Sequence, residues 1–251
     1  MIAWPILRAL PLFALALGFA PAAIAQTAAC TLPERAPAPP PAVPDGPVRV
    51  LPIASYTLAI TWAPEFCATH GADPAAAAEC SGAAARFGFA LHGLWPDAAP
   101  ENGKATWPQW CPAKPPATAQ VPAAVVRSML CTTPSPSLIA HEWAKHGTCM
   151  AASPQLYFAQ SRALFNALHF PDMAALARRT DLTAGDLRRA FASANPRYPL
   201  TAIGLMLRNG ATLQEVHLCH DRRLRPAPCA LPDVADAAPL RITLLPRSAS
   251  R

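Results

Sequence analysis

His141–Cys149 reads HEWAKHGTC, which puts two histidines, a glutamate and a lysine within six residues and follows them with a glycine and a cysteine. The surrounding run PSLIAHEWAKHG, residues 136–147, has helical spacing. Leu138, Ala140 and Trp143 are then set to face a core. Lys145 and His146 fall in the last turn, where cations suit the helix dipole, and Gly147 is the expected C-terminal cap. Residues four apart on an α-helix share a face, so His141 with Lys145 and Glu142 with His146 form two neighbouring rows of one polar surface.

Such a cluster can be a metal site, a catalytic helix or a crowded surface. A zinc-protease helix carries histidines at i and i+4. Here they are five apart, which on a helix of about 3.6 residues per turn separates them by roughly 140° and keeps them from converging on one ion. The bland reading is a solvated, charge-rich face with an incidental Glu–His pair. LHGLWPD, Leu91–Asp97, tips the balance. RFGFALH reads as a strand over roughly 86–92 that delivers His92 near its end, with Trp95 and Asp97 just beyond. Two histidine-bearing segments, each with an aromatic and a carboxylate, suit chemistry that moves one proton in and another out, and imidazole titrates near pH 6.5.

Working outward, SYTLAITW (55–62) alternates as a strand stopped by Pro64. PQLYFAQSRALFNALHF (154–170), DMAALARR (172–179) and TAGDLRRAFASANP (183–196) read as helices, the last with Thr183 as N-cap, Asp186 three residues on and Pro196 as a stop. ATLQEVHLCHD (211–221) and LRITLLP (240–246) return to strand character. Strands and helices mix without regular alternation, which predicts an α+β fold.

Residues 1–25 read as an export signal: Arg8, the apolar run ALPLFALALGFA, and Ala23-Ile24-Ala25 before Gln26 as the cleavage site. Cleavage there removes Arg8 and no acidic residue, lowering the formal charge from +6 to +5. That charge fits a polyanionic partner only in the general sense of long-range attraction. No later apolar run is long enough to span a bilayer, so no stable membrane association is expected. Residues 26–54 are a proline-rich extension read as a linker or tail, and 55–251 the folded domain. All eight cysteines follow the signal, which predicts disulfides, although spacing alone leaves about a hundred connectivities.

Together LHGLWPD and HEWAKHGTC resemble the two active-site segments of the ribonuclease T2 family, in the same order and about fifty residues apart. LAITWAPEFC resembles that family's opening strand and LQEVHLCHD its late strand, so the resemblance covers roughly residues 55–245. It implies a central antiparallel sheet with several packed helices, stabilised by disulfides. The implied activity is metal-independent cleavage of single-stranded RNA by its own 2′-OH, through 2′,3′-cyclic phosphates to 3′-phosphate ends, with no cofactor. His146 would be the general base and His92 the general acid. His141 would bind phosphate, and Glu142 and Lys145 would stabilise the charged transition state. A 2′-OH nucleophile implies that DNA is not cut.

Trp95 and Asp97 match positions where some relatives hold a base, against the alternatives of a core tryptophan and a turn aspartate. The resemblance also suggests pairing of Cys111 with Cys149 and Cys219 with Cys229. Cys67 and Cys80 are expected as a local pair, which leaves Cys30 with Cys131. His70, His169, His217 and His220 match neither motif and receive no catalytic role. The expectation is an exported enzyme, periplasmic or secreted, acting as a monomer on RNA. The competing readings are an RNA-binding or toxin-like protein that uses the same fold without cleavage, and a zinc hydrolase.

Overall fold

The structure is a computed structural model that describes residues 30–115, 119–230 and 234–244. The proposed export signal lies outside the described residues. SYTLAITW forms β1 (Ser55–Trp62), which pairs antiparallel with β2 (Phe89–Asp97) and with β4 (Thr212–His220); β4 pairs with β3 (Ile203–Arg208), giving the sheet order β2-β1-β4-β3. This is the expected α+β architecture. The expected second strand is displaced: it begins at Phe89 and runs on through LWPD to Asp97. Pro96 fits because β2 is the edge strand, where a missing N–H removes no ladder bond on the outer side. The outward backbone groups of that edge are covered. Leu91 N donates to the Thr132 carbonyl, and the Tyr157 hydroxyl meets both the amide and the carbonyl of Leu94 at 3.3 and 3.2 Å.

The helices are α1 (Ala63–His70), α2 (Ala77–Cys80), α3 (Ala123–Met129), α4 (Pro136–Glu142), α5 (Thr148–Met150), α6 (Pro154–Asn166), α7 (Met173–Ala177) and α8 (Ala184–Ala194). The expected capping box of α8 is present, with Thr183 and Asp186 bonded reciprocally. Alternation divides the sheet. Leu58, Ile60, Leu91, Leu94, Val216 and Leu218 pack with Trp143, Tyr157, Phe158, Leu187 and Phe191 in the core. The opposite face carries Thr57, Trp95, Asp97, Glu215 and His217 and becomes the floor of a cleft. Ile139, fully buried, takes the core position expected of Leu138, which is only half-buried.

LRITLLP does not form a strand over its described part. It contributes one bridge, Arg241 to Thr212. Conversely β3 was not foreseen, although Asn209 and Gly210, both at positive φ, mark the turn that joins it to β4. Disulfides join Cys30–Cys131, Cys67–Cys80, Cys111–Cys149 and Cys219–Cys229.

The proline-rich segment is extended, as its composition requires, but its described part is not a free linker. Residues 30–54 run along the domain, tied by the first disulfide, by Thr31 N to the Ala84 carbonyl, by Arg127 Nε to the Pro33 carbonyl, and by reciprocal backbone bonds between Arg49 and Gln109.

Candidate active site

Two local irregularities aim the motif side chains at one cleft. The first is in β2. Ala59 pairs with Gly93 and the next residue, Ile60, pairs with Leu91, so His92 is an extra residue bulged out of the ladder. The bulge shifts the strand's phase by one. Phe89 and Leu91 before it and Leu94 after it all face the core, while His92, Trp95 and Asp97 line the cleft. Gly93 at the bulge is required by close approach, since a Cβ there would lie 1.9 Å from Glu142 Oε2 and 2.8 Å from Trp95 Nε1.

The second irregularity is in the helix of the second motif. Between α4 and α5 the chain takes a π-helical turn, Trp143–Gly147, in which the Thr148 amide donates to the Trp143 carbonyl five residues back. Gly147 is therefore not a cap; the helix continues to Met150. Its missing side chain makes room for Trp143, whose Cε3 would be 2.3 Å from a Cβ at that position. In a π turn residues five apart come into line. His141 and His146 both open on the cleft, and the 140° separation expected of a regular α-helix does not apply. Among the described residues, no group of three or more His, Cys, Asp and Glu side chains is arranged to hold a metal ion.

The cleft has a volume of about 560 Å³ and is lined by His92, Trp95, Asp97, His141, Glu142, Lys145 and His146, so all seven residues singled out in the sequence meet there. Trp95 is neither core nor free. Its Nε1 donates to Glu142 Oε2 at 2.8 Å, and its ring lies 5.0 Å from His92, 5.6 Å from His146 and 5.4 Å from His217. Asp97 belongs to β2 rather than to a turn, and Thr57 Oγ1 donates to it at 2.8 Å. The Trp110 ring lies edge-on to His141 with ring centroids 5.4 Å apart. Trp110 sits at φ 55, held by the hydrogen bond its backbone N–H donates to the Lys145 carbonyl and by the Cys111–Cys149 disulfide beside it.

Two imidazoles in the cleft are tuned in opposite directions. Burial disfavours the charged form of His92, but its hydrogen bond to Glu215 and the charges of Glu142, Glu215 and Glu79 outweigh it and hold its pKa up at about 9. His92 Nδ1 lies 2.7 Å from Glu215 Oε1, and Nε2 lies 3.5 Å from Glu142 Oε1. His146 is buried, its Nδ1 has no hydrogen-bond partner among the described residues, and burial together with the positive charges of Lys145, His141 and His92 pushes its pKa down to about 3. Burial raises Glu142 to about 7 against the pull of His92 and Trp95. Near neutral pH His92 is thus protonated and His146 neutral, a pair able to give one proton and take another.

Four residues in or beside the cleft were missed in the sequence. Glu215 and His217 reach the floor from β4, joined to each other at 2.9 Å; their alternation with buried Val216 and Leu218 was the available signal. Trp107 lines the wall, with the Arg49 guanidinium 4.6 Å above its ring. Asp45, from the proline-rich segment, places Oδ2 2.6 Å from Lys145 Nζ and 3.9 Å from His141 Nε2, and accepts from Trp110 Nε1 at 3.1 Å. Nothing local in sequence signals that contact.

A sequence model of the Ribonuclease T2 family matches residues 53–229. The chain is 30% identical over 186 residues to a probable ribonuclease of Haemophilus influenzae, covering 71% of this chain and 61% of that protein, so it spans less than two thirds of the relative's length. Among solved structures, an RNase-related protein from Calystegia sepium shares the fold with a TM-score of 0.54 at 22% identity, over 74% of this chain and 94% of that one. RNase NT, solved in complex with 5′-AMP, gives a TM-score of 0.55 at 19% identity over 76% and 98%.

Proposed function

The chain belongs to the ribonuclease T2 family, and we propose that it is an exported, metal-independent endoribonuclease, periplasmic or secreted, acting as a monomer on single-stranded RNA. The observation that carries this reading is the pair of oppositely tuned imidazoles across one cleft, beside a lysine that already holds an anion.

His146, neutral, takes the proton from the ribose 2′-OH as that oxygen attacks phosphorus. His92 delivers a proton from Nε2 to the departing 5′-oxygen as the P–O5′ bond breaks. The product is a 2′,3′-cyclic phosphate. Water then opens the ring with the two roles exchanged, which leaves a 3′-phosphate and resets both imidazoles. Lys145 and His141 hold the phosphate oxygens. The Asp45 carboxylate in contact with Lys145 and close to His141 supports that role, because it is an anion in the same position. Glu142, fixed by Trp95, faces His92 and balances the charge that develops. Positioned acid and base catalysis contributes roughly 10²–10⁴-fold per group, with charge stabilisation adding to it. Trp95 and Asp97 form the wall on which a base would rest, a ring to stack on and a carboxylate to accept from an exocyclic amine. DNA lacks the nucleophile and is not cleaved.

The test is cleavage of a defined RNA by the oxidised protein in EDTA, beside His146→Ala, with the ends of the products identified. Cleavage by the wild type alone, leaving cyclic ends, is the expected result. A correctly folded protein that leaves RNA intact from acid to neutral pH overturns the enzyme reading in favour of RNA binding without cleavage.

A further inference from the structure

We infer that Glu215 is a positioning residue for His92: by accepting the Nδ1 proton it fixes the ring so that the second proton, on Nε2, is the one offered to the leaving oxygen. This rests on the acid role of His92 proposed above and adds to it a residue from a different strand, 123 positions away.

The geometry leaves Glu215 little else to do. It is 4% exposed, and both its oxygens are committed. Oε1 receives His92 Nδ1 at 2.7 Å and Thr61 Oγ1 at 3.2 Å, while Oε2 meets His217 Nε2 at 2.9 Å. A substrate atom would have to displace one of these partners to reach it, so Glu215 acts through His92 and not on RNA. The neighbouring strands enforce the arrangement. Thr61 lies directly opposite Glu215 in the β1–β4 register, and the bulge at His92 turns that ring back over the sheet towards β4. An imidazole whose one nitrogen is held by a carboxylate has its tautomer and orientation set, and its protonated form favoured.

The charged and titratable groups around the pair are Glu142 and His141 from α4, His146 from the π turn, Glu79 from α2 and His217 on β4 itself; the two other imidazoles of the second motif feel the charge of His92. Glu142 and Glu79 add to the field that favours protonated His92. Burial disfavours charge on Glu215, but the hydrogen bonds from His217 and His92 overcome it and hold the carboxylate well below its ordinary range, so it stays anionic wherever the enzyme works. His92 thus lies between two carboxylates with different tasks. Glu215 holds the nitrogen away from the reaction, and Glu142 lies 3.5 Å from the nitrogen that faces it.

The deciding experiment compares Glu215→Gln with wild type on two substrates. One is a dinucleoside phosphate, whose 5′-oxygen needs a proton to leave. The other is a ribonucleoside 3′-aryl phosphate, whose phenolate leaves without one. The expected result is a loss of about ten- to a hundredfold in kcat on the dinucleotide, the range seen when the carboxylate that orients a metal-bound histidine is removed, with the aryl ester and both KM values changed by less than about twofold. His92→Ala must show the same selectivity. An equal loss on both substrates would mark Glu215 as merely structural and overturn the inference.

A second reading needs no turnover. In wild type the His92 Nδ1 proton is expected as a strongly deshielded NMR signal that is lost in Glu215→Gln, and the His92 titration midpoint should fall by about one pH unit or more in the variant. A wild-type His92 that titrates like a free histidine and shows no such proton overturns the inference even if the variant does not fold. If RNA is not cleaved at all, the function proposed above fails while this titration still decides whether Glu215 holds His92.

Discussion

Asp45→Asn isolates the contact that the proline-rich segment makes with the cleft. Its carboxylate lies 2.6 Å from Lys145 Nζ and 3.9 Å from His141 Nε2, where the scissile phosphate would bind. RNA must therefore break that ion pair to use Lys145. At 4 Å an unscreened pair in a medium of ε about 20 would be worth roughly 4 kcal/mol. Asp45 is 50% exposed and Lys145 18%, so solvent screens the interaction and the range for exposed pairs, about 0.2–1 kcal/mol, applies. At about 1.4 kcal/mol per tenfold, that is a competition of roughly one-and-a-half- to fivefold. Asparagine keeps the shape and an oxygen to accept from Trp110, so the strap should stay seated while its charge is removed. The Lys145 hydrogen bond holds the Asp45 pKa below the ordinary carboxylate value, so the competitor is charged throughout mildly acidic and neutral pH and the effect should be level there. The assay is calorimetric titration with inorganic phosphate and with a 3′-nucleotide at fixed ionic strength, beside KM and kcat on a dinucleotide. Asp45→Asn should bind both anions more tightly and lower KM by the same factor, leave kcat unchanged, and lose its advantage as salt rises. Unchanged anion affinity at low salt would refute the reasoning and mean that the strap does not guard the phosphate site.

Three further outcomes follow from the geometry. Gly93→Ala should abolish most activity, because its Cβ would stand 1.9 Å from Glu142 Oε2 and displace that carboxylate from Trp95 and His92; kcat on RNA against thermal stability separates this from unfolding. Tyr157→Phe removes the buried hydroxyl that meets the Leu94 backbone, and should cost about 1–3 kcal/mol in denaturant unfolding with KM little changed. The site itself should make stability peak at mildly acidic pH. His146, depressed from 6.5 to about 3, leaves the unfolded chain binding more protons in that window, so its contribution is lost as pH falls below 6.5; His92, raised to about 9, gives stability that is lost as pH rises from 6.5 to 9. Glu142, raised from 4.5 to about 7, opposes His146 between those values. Melting temperature against pH should therefore lose its fall below about pH 4.5 in His146→Gln and flatten on the alkaline side in His92→Gln, and parallel curves for all three proteins would contradict these assignments.

What the sequence disclosed was whatever is written locally. The strand over 55–62 and the capping box of the helix at 184–194 depend on neighbours a few residues apart, and both are present. The seven cleft residues came in two contiguous motifs, so recognising the motifs was enough to gather them. What stayed hidden is non-local: Asp45 meets Lys145 across 100 positions and Glu215 meets His92 across 123, and no periodicity encodes such contacts. The instructive failures lie between these cases. In FALHGLWPD the core-facing residues are Phe89 and Leu91 before His92 but Leu94 after it, a slip of phase that marks the bulge and that a regular strand ending at 92 overlooks. In HEWAKHG a regular helix turns His141 and His146 apart, and the π turn brings them round to one cleft. A strict strand would have turned Trp95 to the face away from His92, and a strict helix would have separated the two histidines of the second motif. Each departure from regular period falls on the residues that must share a small volume. Regular elements fill the core, and single-residue irregularities, supported by Gly93 and Gly147, converge the chemistry.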